Sequence, residues 1–104
     1  MRFIETTIFF KYRSALLSNE EYGALCRHLA ERPEAGALIQ KSGGLRKVRW
    51  AAGGKGKSGG VRVIYYWARS NDEIMLVTVY SKSEKDNLSA GKVKLLRKLL
   101  EKLT

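Results

Sequence analysis

Apolar and polar positions along this chain switch between a two-residue and a roughly 3.6-residue period, and the switches mark the elements. Residues 2–10 are dense in β-branched and aromatic side chains (Phe3, Ile4, Ile8, Phe9, Phe10) and predict a first strand, running into a short helical turn at Lys11–Leu17. Ser18-Asn19-Glu20-Glu21 has the form of a capping box, in which Ser18 caps the Glu21 amide while Glu21 reaches back. The helix that it opens carries Tyr22, Leu25 and Leu29 on one stripe and is expected to stop before Pro33. Glu34-Ala35-Gly36 reads as a turn, Leu38-Ile39-Gln40 as a short extended segment, and Gly43-Gly44 as the lead into a strand over 45–50.

In that strand, alternation sets Arg46, Val48 and Trp50 on one face and Leu45, Lys47 and Arg49 on the other. The run 61–67 likewise sets Arg62, Ile64 and Tyr66 against Val61, Val63, Tyr65 and Trp67. Asn71-Asp72 turns the chain into a third strand, Glu73–Tyr80, and the short connections predict an antiparallel meander. Ser89 is placed to cap a last helix reaching about Leu103. Val93, Leu96, Leu100 and Leu103 form its apolar stripe, Leu95 and Leu99 widen it, and Lys92, Lys94, Arg97, Lys98 and Lys102 fill the rest. The expected fold class is α+β, a small twisted and mainly antiparallel sheet with N-terminal helices and a C-terminal helix. At 104 residues, with no linker or repeat, the chain reads as one domain, 1–104.

Charge changes this picture. The net charge is +10, yet 44% of residues are hydrophobic and ten are aromatic, which fits a folded globule rather than a basic tail. From Lys41 to Arg69 there is no Asp or Glu, and there are eight basic residues: Lys41, Arg46, Lys47, Arg49, Lys55, Lys57, Arg62 and Arg69. Two basic strands thus flank the Gly-Lys loop Gly53-Gly54-Lys55-Gly56-Lys57-Ser58-Gly59-Gly60. Positive charge interleaved with aromatics and glycines points to a phosphate backbone as ligand. The lone cysteine, Cys26, excludes an internal disulfide and reads as a small core or boundary residue. With no signal-peptide pattern and no run of roughly 20 apolar residues, a cytoplasmic protein without a membrane segment is expected.

The order of these segments resembles the RelE/ParE toxin superfamily, and its HigB-like branch in particular. The resemblance is carried by Gly43-Gly44-Leu45-Arg46-Lys47-Val48-Arg49, by the Gly-Lys loop, by Val61-Arg62-Val63-Ile64-Tyr65-Tyr66, and by Leu76-Val77-Thr78-Val79-Tyr80-Ser81-Lys82-Ser83-Glu84-Lys85-Asp86-Asn87-Leu88. It implies the toxin of a type II toxin–antitoxin pair, a ribosome-dependent endoribonuclease that cleaves mRNA in the A site. The ribose 2′-OH would attack the adjacent phosphate, leaving a 2′,3′-cyclic phosphate and a 5′-OH.

That reaction needs a base, charge relief at phosphorus and an acid for the leaving oxygen. With His28 as the only histidine, on a helix beside Arg27, a histidine-pair mechanism is excluded. The acid-free basic segment disfavours carboxylate-bound Mg²⁺, so no metal and no cofactor is expected. The resemblance implies that Arg62 clamps the scissile phosphate, for which its planar fork is suited. Lys82 follows the last strand, where the resemblance implies a basic residue for transition-state charge. Lys55 and Lys57 bring charge close to a phosphate chain, and like-charge crowding lowers a lysine pKa toward that of a base. Tyr80 is a candidate for base stacking or proton donation. Lys47 and Arg49, with Arg46 and Lys85, are candidates for contacts to mRNA or ribosomal RNA. The chain departs from the pattern by having no tyrosine after Tyr80, which leaves the acid and base unassigned.

Two other readings use the same residues: a ParE-like inhibitor of DNA gyrase that cuts no RNA, and a basic RNA- or ribosome-binding module without catalysis. The resemblance also implies a cognate antitoxin, acidic where it meets the basic face and carrying a helix-turn-helix region.

Overall fold

The computed structural model describes residues 1–53, 60–82 and 88–103; Lys55, Lys57 and Lys85 therefore lie outside the described residues. The first strand, β1 (Arg2–Glu5), is shorter than the expected 2–10, and a helix, α1 (Thr7–Leu16), takes over the apolar run. Thr6 is the reason. Its hydroxyl accepts from the Phe9 amide (3.0 Å), capping the helix, and donates to the Val77 carbonyl (2.7 Å) on a neighbouring strand. A side-chain cap outweighs the β preference of Ile8, Phe9 and Phe10. The run consequently has one inward residue: Phe9 is buried, while Ile8 and Phe10 are 43% and 59% exposed.

The second helix, α2 (Asn19–Glu31), begins with the expected capping box. Glu21 N donates to Ser18 Oγ (3.0 Å), and Ser18 N donates to Glu21 Oε1 (2.8 Å). Glu5 ties the three N-terminal elements together, accepting from Arg13 Nε and from the Tyr22 hydroxyl at 2.9 Å each. The Arg13 guanidinium also lies over the Tyr22 ring, 4.2 Å from its centre.

Four further strands follow: β2 (Ala37–Leu38), β3 (Leu45–Trp50), β4 (Val61–Ala68) and β5 (Glu73–Ser81), the last two joined by a short 3-10 turn at Arg69–Asn71. The sheet order is β1-β5-β4-β3-β2, antiparallel except for the β1–β5 pair. The chain closes with α3 (Ala90–Leu103), whose Lys92 amide donates to the Ser89 hydroxyl (3.1 Å) as expected.

Helices cover both faces, which explains why β4 reads as a nearly continuous apolar run. On one face α1 and α2 close a core of Phe9, Leu25 and Leu29 with Val48, Val63, Tyr65 and Leu76. On the other, Leu96 and Leu100 of α3 cover Leu45, Ile64 and Val77. The predicted α3 stripe is wider than the one that is buried: Leu95 and Leu103 remain 63% and 47% exposed, because the sheet under α3 offers cover only along the Leu96–Leu100 line.

The pairing of β4 with β5 contains one irregularity. Ile64 faces Thr78 but Tyr65 faces Leu76, so Val77 is an extra residue on β5. Before the bulge, Ile74 and Leu76 belong to the core under α1 and α2. After it, Val79 does, and the alternation of β5 has shifted by one position.

Tyr65 locks the turn after α2 to the central strand. Its hydroxyl donates to Pro33 O (2.7 Å) and accepts from Gly36 N (2.8 Å), and burial pushes its pKa up. Gly36 must be glycine at this approach, since a Cβ would stand 2.8 Å from the Tyr65 ring and 3.0 Å from Lys47 O. Tyr65→Phe leaves the Gly36 amide and Pro33 carbonyl without this partner, so an unfolding free energy lower by about 1–3 kcal/mol is expected from urea titration. An unchanged urea midpoint would show that the bond does not support the fold.

Candidate active site

The three long strands place the predicted residues by register. Arg49 on β3 faces Arg62 on β4, and Arg62 faces Tyr80 on β5. Directly opposed residues share a face, with Cβ atoms about 5 Å apart, so these three side chains form one row across the sheet. Lys47, Ile64 and Thr78 form the next row, and Leu45, Tyr66 and Met75 the one after it. This is the face that α3 covers farther along.

The row unites groups of different exposure. Arg49 is exposed and Tyr80 half-buried, whereas Arg62 is only 4% exposed and does not behave as a solvated strand charge. One Arg62 N–H points to the Val61 carbonyl at a long 3.4 Å. Two arginines directly opposed across strands repel one another, and the repulsion is strongest where water is excluded. Lys82 is exposed, and its amide donates to Gly60 O (3.2 Å), so the ladder extends past Ser81. It stands just past the end of β5, two residues beyond Tyr80.

Arg46 is turned away from this row. It lies on the Val48 and Trp50 face, and its guanidinium donates to Glu34 O (3.1 Å) and Gly36 O (2.8 Å), bracing the turn after α2. Lys47 is half-buried one row from Arg62.

Sequence reasoning did not reveal what holds the Gly-Lys loop at its ends. The second oxygen of Glu21 accepts from the Gly53 amide (2.9 Å), and the Glu21 carbonyl accepts from Trp50 Nε1 (3.0 Å). His28 packs against the Trp50 ring, with centroids 5.1 Å apart and planes tilted by 37°, which gives this helix residue a structural place. At the far end Gly60 is buried, and a Cβ there would overlap the Trp50 carbonyl. Both roots are thus fixed by α2 and by β3. The only hint in the sequence was the capping box, and a carboxylate has one more oxygen than the box requires.

Beside Tyr80 a cavity of ≈ 630 Å³ opens between α1, the end of β5 and the start of α3, with Ile8, Tyr12, Thr78, Leu88 and Lys92 in its wall. Among the described residues there is no group of three or more His, Cys, Asp or Glu side chains suited to a metal ion, and no helix is long and apolar enough to cross a membrane.

The geometry is that of a small α+β protein presenting a cationic row on a sheet face between helices. Over residues 1–104 the sequence matches the family described as RelE toxin of the RelE/RelB toxin–antitoxin system. The chain belongs to this family, and so is the toxin half of a toxin–antitoxin pair with a cognate antitoxin as partner. Its fold is similar to that of the isolated Escherichia coli RelE toxin, with a TM-score of 0.60 and 15% identity over 94% of this chain and 97% of that one. A double arginine-to-alanine mutant of the same E. coli toxin in the free state aligns with a TM-score of 0.58 and 14% identity, over 82% of this chain and 86% of that one. At such identities the likeness establishes the shared α+β architecture.

The amide of Ser18, first, and that of Gly53 hold the Glu21 carboxyl below its ordinary value of 4.5. Because the folded pKa is the lower one, the stabilisation is present above about pH 4.5 and is lost as pH falls through the folded value. Glu21→Gln is therefore expected to be less stable than wild type at pH 7, with the gap closing toward pH 3. Urea midpoints across that range check this, and a gap that does not depend on pH would refute it.

Proposed function

We propose that this toxin is a metal-independent endoribonuclease of the HigB-like branch that cleaves mRNA in the A site of the translating ribosome. The observation that carries this reading is the row of Arg49, buried Arg62 and Tyr80, continued by Lys82 and bordered by the anchored roots of the Gly-Lys loop. Such a surface supplies fixed positive charge where a phosphorane would form, in surroundings that raise its worth.

In this reaction the 2′-OH gives its proton to a base as O2′ bonds to the adjacent phosphorus. The bond from phosphorus to O5′ breaks, and O5′ takes up a proton, leaving the 2′,3′-cyclic phosphate and a 5′-OH. Arg62 clamps the non-bridging oxygens with its fork, and its burial holds that fork in place. Lys82 adds charge as the trigonal bipyramid forms. Lys55 and Lys57, on the loop, bring further charge and a candidate base. Tyr80 stacks on a base at the mouth of its cavity or donates the proton to O5′. Arg49, Lys47 and Lys85 contact the RNA backbone, and Arg46 supports the strand that presents them. The antitoxin, acidic toward this face and bearing a helix-turn-helix region, covers the site in the cytoplasm.

Ribosomes programmed with a defined message, mapped by primer extension, test the reading. Wild-type protein should produce breaks within A-site codons, and a 2′-deoxy sugar at the break should prevent them. Arg62→Ala should slow single-turnover cleavage by about 10²–10³-fold, the usual loss for a preorganised transition-state donor, with a smaller change in binding. Arg62→Lys, which keeps the charge but not the fork, should recover only part of the rate. Circular dichroism confirms that each variant is folded. Intact message with folded wild-type protein would overturn the proposal, and inhibition of gyrase supercoiling would then identify the ParE-like activity.

A further inference from the structure

A second concentration of positive charge lies outside the Arg49–Arg62–Tyr80 row and has no part in the chemistry above. Lys41, Lys94 and Arg97 line a cavity of ≈ 350 Å³ together with Gln40, Ala90 and Val93. One wall is the turn between β2 and β3, and the other is the first half of α3. Cavities that take small ligands begin at about 300 Å³, so this one admits a unit the size of a single nucleotide and is too small for a folded peptide segment.

The turn that presents Lys41 is rigid. Ser42 is fully buried; its hydroxyl donates to Ile39 O (2.6 Å) and accepts from Leu45 N (3.0 Å). Lys41 itself has a φ of 61°, in the left-handed region, where a lysine is held only if its surroundings enforce it. Gly43 at 81° and Gly44 at 110° complete the bend. The Arg97 stem lies against Gly43, and its guanidinium reaches the Lys41 carbonyl at 3.5 Å. Among the described residues Glu101 alone pairs with this cluster, at 3.6 Å from Arg97 on the same helix and half in solvent. No acid occupies the first turn of α3, so the positive end of the helix adds to the field of the three side chains.

The cavity also continues toward the cationic row. Val93 is shared with a neighbouring cavity of ≈ 320 Å³ whose wall includes Lys47, Leu38 and Leu88. Leu88 in turn is shared with the cavity beside Tyr80, where Lys92 stands. Cationic groups and apolar walls therefore alternate from Tyr80 and Lys92, past Lys47, to Lys94, Arg97 and Lys41. Backbone phosphates separated by sugars and bases present a matching alternation.

We propose that the Lys41–Lys94–Arg97 cavity is an exosite for single-stranded RNA, holding the phosphate of a nucleotide that flanks the segment on the Arg49–Arg62–Tyr80 row, with its sugar or base against Val93 and Ala90. The proposal rests on the reading of this toxin as an RNA-handling protein, but not on cleavage. It assigns the basic face of α3 a binding task separate from the leucines that face the sheet.

The test uses the full chain and a 2′-O-methyl single-stranded oligoribonucleotide, which the proposed chemistry cannot cut. Binding is followed by fluorescence anisotropy over a salt series. Lys41→Gln, Lys94→Gln and Arg97→Gln should each weaken binding and reduce the slope of log affinity against log salt by about 0.7, the value for one phosphate on a single strand. Lys102→Gln, an exposed lysine on the same helix outside the cavity, should change neither. The same variants on vacant ribosomes separate messenger from ribosomal RNA as the source of the phosphate. Unchanged slopes overturn the proposal, as does an equal loss with Lys102→Gln, which would mean diffuse charge. Binding of an acidic peptide at this cavity in place of RNA overturns it as well. If the slopes fall as expected while no message is cut, the exosite stands and the nuclease reading fails.

Discussion

The extra residue in β5 is the constraint from which the proposed site follows. Alternation counted from Ile74 and Leu76, which face α1 and α2, would put Tyr80 on that same buried side. The bulge at Val77 reverses the parity, so Val79 takes the inward place and Tyr80 comes to face Arg62. Lys82 follows at the end of the strand. A bulge of this kind breaks the ladder locally, and the structure compensates on both sides of it. The Val77 carbonyl accepts from Thr6 Oγ1, and the Val77 side chain joins the cluster under α3. Thr6 thus caps a helix and completes the edge of a bulge with one hydroxyl.

A second constraint is the position of Arg62 within β4. This strand is covered on both faces and is apolar for most of its length, and a charge within it carries a large desolvation cost. A strand that required only stability would have an aliphatic residue at this position. The neighbours of Arg62 are arranged to keep the strand in place regardless. Val61 and Val63 point to the α1/α2 core, Tyr65 is bonded at Pro33 and Gly36, and Ile64 lies under α3. Rigidity supplied by apolar neighbours lets one unfavourable residue persist, and a fixed guanidinium is what the proposed phosphate clamp needs.

Much of this architecture was legible in the sequence because it depends on local chemistry. The capping box at Ser18 and Glu21, the stop before Pro33, the alternation in β3 and β4 and the Ser89 cap all involve neighbours along the chain. Features set by distant partners were not legible. The helix over Ile8–Phe10 depends on a Thr6 contact to Val77, 71 positions away. Arg46 reads as one more basic strand residue until its bonds to Glu34 O and Gly36 O place it as a brace. Likewise, nothing near Glu21 in the sequence indicates Gly53, 32 positions on, or the Trp50 indole that it steadies. Alternation grouped Arg49 with Lys47 and Arg62 with Ile64 within their own strands, but only the pairing register puts Arg49 beside Arg62, and Tyr80 joins them only through the bulge.

With a net charge of +10 the folded chain works against its own repulsion, and α3 shows how that is tolerated. Leu96 and Leu100 are buried on the sheet, whereas Lys92, Lys94, Lys98 and Lys102 project from exposed positions. Helical periodicity separates the two tasks, so each can change without the other. The cationic row cannot be separated in this way, because Arg62 sits inside the sheet and its charge is part of the fold. An anionic partner therefore acts differently at the two places. In the proposed exosite it would neutralise Lys41, Lys94 and Arg97 and gain counterion-release energy. At Arg62 the proposed clamp would act in a buried setting, where each contact is worth more. The proposed division into a salt-sensitive exosite and a buried clamp follows from where each charge sits relative to the two cores.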